Sequence, residues 1–113
     1  MKIIKGTFKI REGHEGSMHW TFHEGSYAYD FPFYIHRKNG RKLWKLSHMA
    51  TGFNIKSQLS LKNAKALSKE LKKWPLFLMP TPESVQMQTK LLPTHKQNLL
   101  QQIINNGGDT NEQ

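Results

Sequence analysis

Phe31-Pro-Phe-Tyr-Ile-His-Arg37, Lys38-Asn39-Gly40-Arg41 and Lys42-Leu-Trp-Lys-Leu-Ser-His48 follow one another in the middle of the chain. Asn-Gly is the preferred pair for a two-residue type I′ turn, because both central positions need positive φ. With β-formers on either side, the stretch predicts a hairpin whose tip is Asn39-Gly40. Toward the N-terminus, Met18, Trp20 and Phe22 alternate with Ser17, His19, Thr21 and His23, the period of a half-buried strand. Before them Ile4, Phe8 and Ile10 lie in a Lys-rich run suited to a sheet edge, where Lys discourages further pairing. Gly13 and Gly16 bracket the turn between these two runs. Toward the C-terminus, Thr51-Gly52 makes another turn and Phe53-Asn54-Ile55 begins a last short strand. The reading is an antiparallel β-meander of four to five strands.

The period then changes. Ser60 can cap a helix from Leu61 to about Trp74, with Leu61, Ala64, Leu67 and Leu71 on one face and Pro75 stopping it. Leu76-Phe77-Leu78-Met79, between Pro75 and Pro80, reads as a connector packed on the core. Thr81-Pro82 has the form of a cap with proline in the first helical position, opening a helix to about Leu92. Thr94-His-Lys-Gln97 matches a capping box, with Leu99, Leu100, Ile103 and Ile104 behind it. The fold class is therefore α+β: a meander with one amphipathic helix packed on it, and a short helical C-terminal extension. The boundaries fall at 1–79 for the sheet and its helix, 80–106 for the extension, and 107–113 for a disordered tail. The apolar stripe Leu99, Leu100, Ile103 and Ile104 can pack on the domain or on a second copy as a homodimer.

With 113 residues the chain is long enough for one domain and too short for two. It has no cysteine, which excludes disulfides, thiolate zinc sites and thiol nucleophiles. No apolar run approaches the ~18 residues of a membrane span, and Met1 to Ile10 lacks the apolar core of a signal peptide. A cytoplasmic protein that does not enter a membrane is expected. Seventeen Lys and Arg against eight Asp and Glu leave a formal charge of +9, which suits phosphate or an acidic protein surface.

That charge is segregated. Phe31 to Pro80 holds eleven cations against Glu70 alone. Lys62, Lys65, Lys69, Lys72 and Lys73 share one face of the expected helix, opposite its leucines. Arg37, Lys38, Arg41, Lys42 and Lys45 crowd the hairpin tip and its arm. Five like charges on one face repel each other, and a polyanion relieves the repulsion. Tyr34 and His36 share a strand face, which if open offers a base-stacking surface beside the cations. The candidate nucleic-acid contacts are thus Arg37, Lys38, Arg41, Lys42, Lys45, Lys62, Lys65, Lys69, Lys72 and Tyr34. Phosphate contacts would dominate, so sequence preference should be low, and DNA and RNA stay equally open.

The six histidines fit no recognised metal spacing, so neither metal nor cofactor is expected. His19 and His23 share a strand face with His14 nearby, while His36 and His48 stand on the hairpin arms. A metal-independent ribonuclease of toxin type would use His36 or His48 as base with Arg37, Arg41 and Lys45 nearby, but no pair at catalytic spacing is evident, and no catalytic residue is assigned.

Two resemblances accompany these readings. Thr51-Gly52 and Ser60-Leu-Lys62-Asn-Ala64-Lys65 after a strand hairpin resemble the last part of double-stranded RNA-binding domains. The resemblance implies phosphate contacts for Lys62 and Lys65; the helix that precedes the sheet in those domains has no counterpart here. Trp44-x-x-x-His48-x-x-Thr51-Gly52 followed by a Lys/Ala helix is similar, over about residues 31–74, to small accessory proteins of phages and other mobile elements. It implies a phage-encoded accessory factor, or an inhibitor of anti-CRISPR or anti-restriction type that binds a host nucleic-acid-processing complex by protein contact.

Overall fold

The computed structural model describes residues 1–13 and 16–107. Its strands are β1 (Ile4–Glu12), β2 (His19–Asp30), β3 (Phe33–Lys38), β4 (Trp44–His48) and β5 (Asn54–Leu59). They form one antiparallel sheet whose spatial order is the chain order, so the meander has five strands and the Lys-rich β1 is an edge. Helices α1 (Leu61–Leu71), α2 (Pro82–Leu91) and α3 (Thr94–Asn106) follow, with a short 3₁₀ helix at Pro75–Leu78. The expected α+β architecture is the observed one. No helix among the described residues is long and apolar enough to cross a membrane.

Period-two alternation sorts the sheet into two faces. Phe33 and Ile35 pair with His48 and Leu46, and these residues look to one side. With Ala28, Trp44 and Leu59 they make the main core, onto which α1 lays Ala64, Leu67 and Leu71. Leu76 and Phe77 close one end, Phe77 standing edge-on to Phe33 at 5.0 Å. From the 80–106 segment, Leu100 is buried in this same core, with Ile103 and Ile104 packed against it. Three of the four stripe residues are therefore covered by the chain itself, and Leu99 is left exposed.

The helix ends follow local chemistry. Ser60 caps α1, its hydroxyl accepting from the Asn63 N–H at 3.1 Å. Trp74 precedes Pro75 and is extended, so α1 stops at Leu71, before the expected Trp74. Thr81 and Ser84 form a reciprocal capping box for α2. The box expected at Thr94 does not form. Pro93 occupies the cap position of α3, and Gln97 donates to the Leu92 carbonyl at 2.9 Å. Gly107, the first residue of the expected 107–113 tail, is instead the buried left-handed cap of α3, and 108 onward lies outside the described residues, as do His14 and Glu15.

The hairpin tip also differs from expectation. Only Gly40 takes positive φ, at 85°, so the turn is not type I′. The Arg41 N–H donates to the Lys38 carbonyl at 3.1 Å, closing a turn with Gly40 in its third position, where type II turns require glycine. Five residues, 39–43, separate β3 from β4. The longer loop spreads its cations instead of pinching them into a point.

The decisive feature is the length of β2. It has twelve residues and β3 six, and only Gly25–Asp30 pairs with β3. Residues 19–24 and their β1 partners continue as a two-stranded ribbon beyond the Gly6–Gly25 pair. There a Cβ on Gly25 would run into the Arg37 carbonyl oxygen, so the backbone approach admits only glycine. The ribbon turns back over the second face of the sheet. The Tyr34 hydroxyl donates to the Lys9 carbonyl at 2.9 Å, Arg11 donates to the Thr51 carbonyl at 3.4 Å, and the Trp20 ring packs on Gly52. Phe8, Ile10 and Tyr34 form a second core there with Tyr27 and Met49. Phe8 and Ile10 pair with His23 and Thr21, so those polar residues turn inward and are half-buried. The alternation read in β2 is real, but its apolar side faces out: Phe22 is 72% exposed.

Candidate nucleic-acid interface

A cleft of about 530 Å³ opens between the β3–β4 loop, β5 and the bent-back β1. Arg37, Lys38, Gly40, Arg41, Lys42, Leu43 and Lys45 line it from the hairpin, Ser57 and Gln58 from β5, with Ile10 and His36 at the sheet. All five hairpin cations named from the sequence meet here, and the lining contains no carboxylate among the described residues.

Each cation is positioned differently. The Arg37 guanidinium lies over the Trp44 ring at 4.6 Å and donates to the Lys42 carbonyl at 3.3 Å, tying the loop to the sheet. Lys38 stands 3.8 Å from Glu12, a weak and half-exposed pairing. Glu12 itself accepts from the Thr21 hydroxyl at 2.6 Å and from His23 at 3.0 Å, and these bonds hold its carboxyl at a pKa of about 2. Arg41, Lys42 and Lys45 have exposed side chains with no hydrogen bond or ion pair among the described residues. Gln58 is the one non-glycine residue among those described with positive φ, at 63°. Such a conformation costs on the order of 1–3 kcal/mol and clusters at functional sites.

The α1 lysines belong to another layer. α1 covers the face of Phe33, Ile35 and Leu46, whereas His36 and Lys45 of the cleft, which pair in register, lie on the opposite face. Lys62, Lys65 and Lys69 point away from the core, exposed and unpaired among the described residues. Lys72 is engaged: its ammonium lies 2.6 Å from Asp30, whose other oxygen accepts from the buried Ser68 hydroxyl at 2.7 Å. Lys73 pairs with Glu70 at 3.3 Å. The cationic set read as one footprint is thus divided: Lys38 and Lys45 share the face opposite α1, Arg37 lies over Trp44, and Lys72 is a tie between α1 and β2.

Tyr34 does not offer an open stacking surface. It is 4% exposed under the bent ribbon, with its ring 4.9 Å from His36, and burial pushes its hydroxyl up to about 12. His36 shares that enclosure and hydrogen-bonds Ser47 at 2.8 Å. Desolvation first, then Lys45, His23 and Lys38, hold its pKa down to about 3. At neutral pH it is an uncharged ring in the cleft wall and a weak base. His48 is buried against the 3₁₀ helix. Its Nε2–H donates to the Phe77 carbonyl at 2.6 Å and its Nδ1 accepts from Thr51 at 2.9 Å, so both nitrogens are committed. Among the described residues no three His, Asp or Glu side chains come together to hold a metal ion.

Ile10, Ser57 and Gln58 join the cleft without any sequence signal, because the ribbon bend and the irregular β4–β5 ladder bring them there. Asp30 joins Ser68 and Lys72 without any sequence signal either. Comparison with protein-family models, curated proteins and solved structures finds no match to this chain. The functional reading therefore stands on the geometry.

Proposed function

We propose that this protein binds nucleic acid through its phosphate backbone, with little sequence preference, and that the β3–β4 cleft is the principal contact. The observation that carries the reading is the convergence of five cations on one concavity, with no carboxylate among its described lining residues. Walls of low dielectric focus such a field, and released counterions drive phosphate binding. Ser57 and Gln58 add neutral donors for phosphate oxygens. Lys62, Lys65 and Lys69 serve as a second, weaker contact on the far layer. A role as accessory factor of a phage or other mobile element belongs to the same reading and rests on the resemblance over about residues 31–74.

Fluorescence anisotropy with a labelled oligonucleotide at ~100 mM salt tests it. Reversing Arg41, Lys42 and Lys45 to Glu, with Arg37 kept because it holds the loop, should cut affinity at least about a hundredfold. Reversing Lys62, Lys65 and Lys69 should cost about tenfold or less. Unchanged binding in the first variant contradicts the reading.

One observation favours a second reading, a protein-binding inhibitor of a host complex. Helix α2 buries no residue and exposes Met87 and Leu91. Capture of partners from nuclease-treated lysate, lost in Met87→Asp with Leu91→Asp, would support that reading over the first.

A further inference from the structure

The strand that lends Ile10 to the cleft lends Phe8 and Lys9 to a second depression of about 130 Å³, completed by Trp20, Tyr29, Tyr34 and Met49. Its walls are accessible, Trp20 being 37% and Tyr29 55% exposed, while Phe8 and Tyr34 are its buried floor. Drug-sized ligands need pockets of about 300 Å³ or more; this one suits a single planar ring. Cations flank it. The Lys9 ammonium stands 4.7 Å from the Trp20 ring centre, and the Arg11 guanidinium lies 6.0 Å from it and 5.9 Å from Phe53. The buried Arg11 Nε has no hydrogen-bond partner among the described residues. Accessible aromatic walls beside positive charge match a ligand that joins a flat ring to an anion.

Resting on the nucleic-acid reading above, we propose that an unpaired nucleobase seats in this pocket. It stacks on Trp20 and Tyr29, its phosphate lies at Lys9 and Arg11, and the strand continues along β1 into the cleft. The ligand is then single-stranded nucleic acid. In a duplex the bases are already stacked and paired, and entry would require flipping one out.

The chain has three tryptophans, and Trp44 and Trp74 pack in or against the main core. In 5-fluorotryptophan-labelled protein, with the Trp20 signal assigned by Trp20→Phe, an eight-nucleotide oligothymidine should shift the Trp20 resonance and leave that of Trp74 nearly still. A duplex of equal length should not shift it. Tyr29→Ala should weaken single-strand affinity about tenfold, within the range of base–aromatic stacking, and leave duplex affinity unchanged; Tyr29→Phe should restore it. A silent Trp20 during tight oligonucleotide binding, or equal losses for both nucleic acids in Tyr29→Ala, overturns this inference and spares the cleft. Absence of binding to either nucleic acid overturns both. A protein partner that shifts Trp20 where oligothymidine does not reassigns the pocket to a partner's side chain.

Discussion

His36 lies between Tyr34 and Phe8, 4.9 and 5.2 Å from their ring centres, and stays neutral down to about pH 3. The unfolded chain takes up that proton near pH 6.5, so stability falls as pH drops from about 6.5 toward 3, by on the order of a few kcal/mol. Glu12 acts in a lower window: its carboxyl is depressed from 4.5 to about 2, so its contribution is complete above 4.5 and lost as pH falls to 2. Urea unfolding at a series of pH values separates them, because His36→Gln should flatten the slope between pH 6.5 and 4.5, and Glu12→Gln should not. Gly52 has φ of 74°, and a Cβ there would stand 2.5 Å from the Trp20 ring, so Gly52→Ala should cost about 1–3 kcal/mol in the same assay. The sharing of one face by Tyr34 and His36 was legible from strand period alone. That the face is roofed was not, because the roof comes from Phe8 and Lys9, about 25 positions upstream, and local periodicity carries no information about that distance.

The elements most readable in the sequence are those governed by local chemistry. Ser60 and Thr81 cap their helices, and Ser60→Ala should cost about 1 kcal/mol. The loop at Asn39-Gly40 departs from expectation where a distant strand intervenes, the Asn39 N–H donating to the Glu24 carbonyl at 3.1 Å; at the start of α3 the reason is local, since Pro93 takes the cap position and Gln97 turns to the Leu92 carbonyl. The lysine face of α1 was legible as a face, but the pairing of Lys72 with Asp30 joins residues 42 apart in sequence. Asp30→Ala would strand the buried Ser68 hydroxyl and should cost about 1–3 kcal/mol in thermal or urea unfolding, without lowering oligonucleotide affinity. Leu100→Ala should cost about 2–5 kcal/mol, because its side chain fills the main core.

Across the whole molecule, one bend decides where charge can act. Because the ribbon folds over the face opposite α1, it builds a wall for the β3–β4 cations and leaves the α1 lysines on the other layer. The meander and its covering helix were legible because their signals are periodic, whereas the division of charge between layers depends on a backbone approach at Gly25 that has no pattern of its own. Five phosphate contacts to a single strand correspond to a slope of about −3.5 in log affinity against log salt, at ~0.7 per contact. The most direct measurement is that slope for the wild-type chain, for Arg41, Lys42 and Lys45 all changed to Gln, and for Lys62, Lys65 and Lys69 all changed to Gln. The account predicts that the first variant loses about two units of slope and the second stays close to wild type; a cleft variant with the wild-type slope, or an α1 variant with the larger loss, would contradict it.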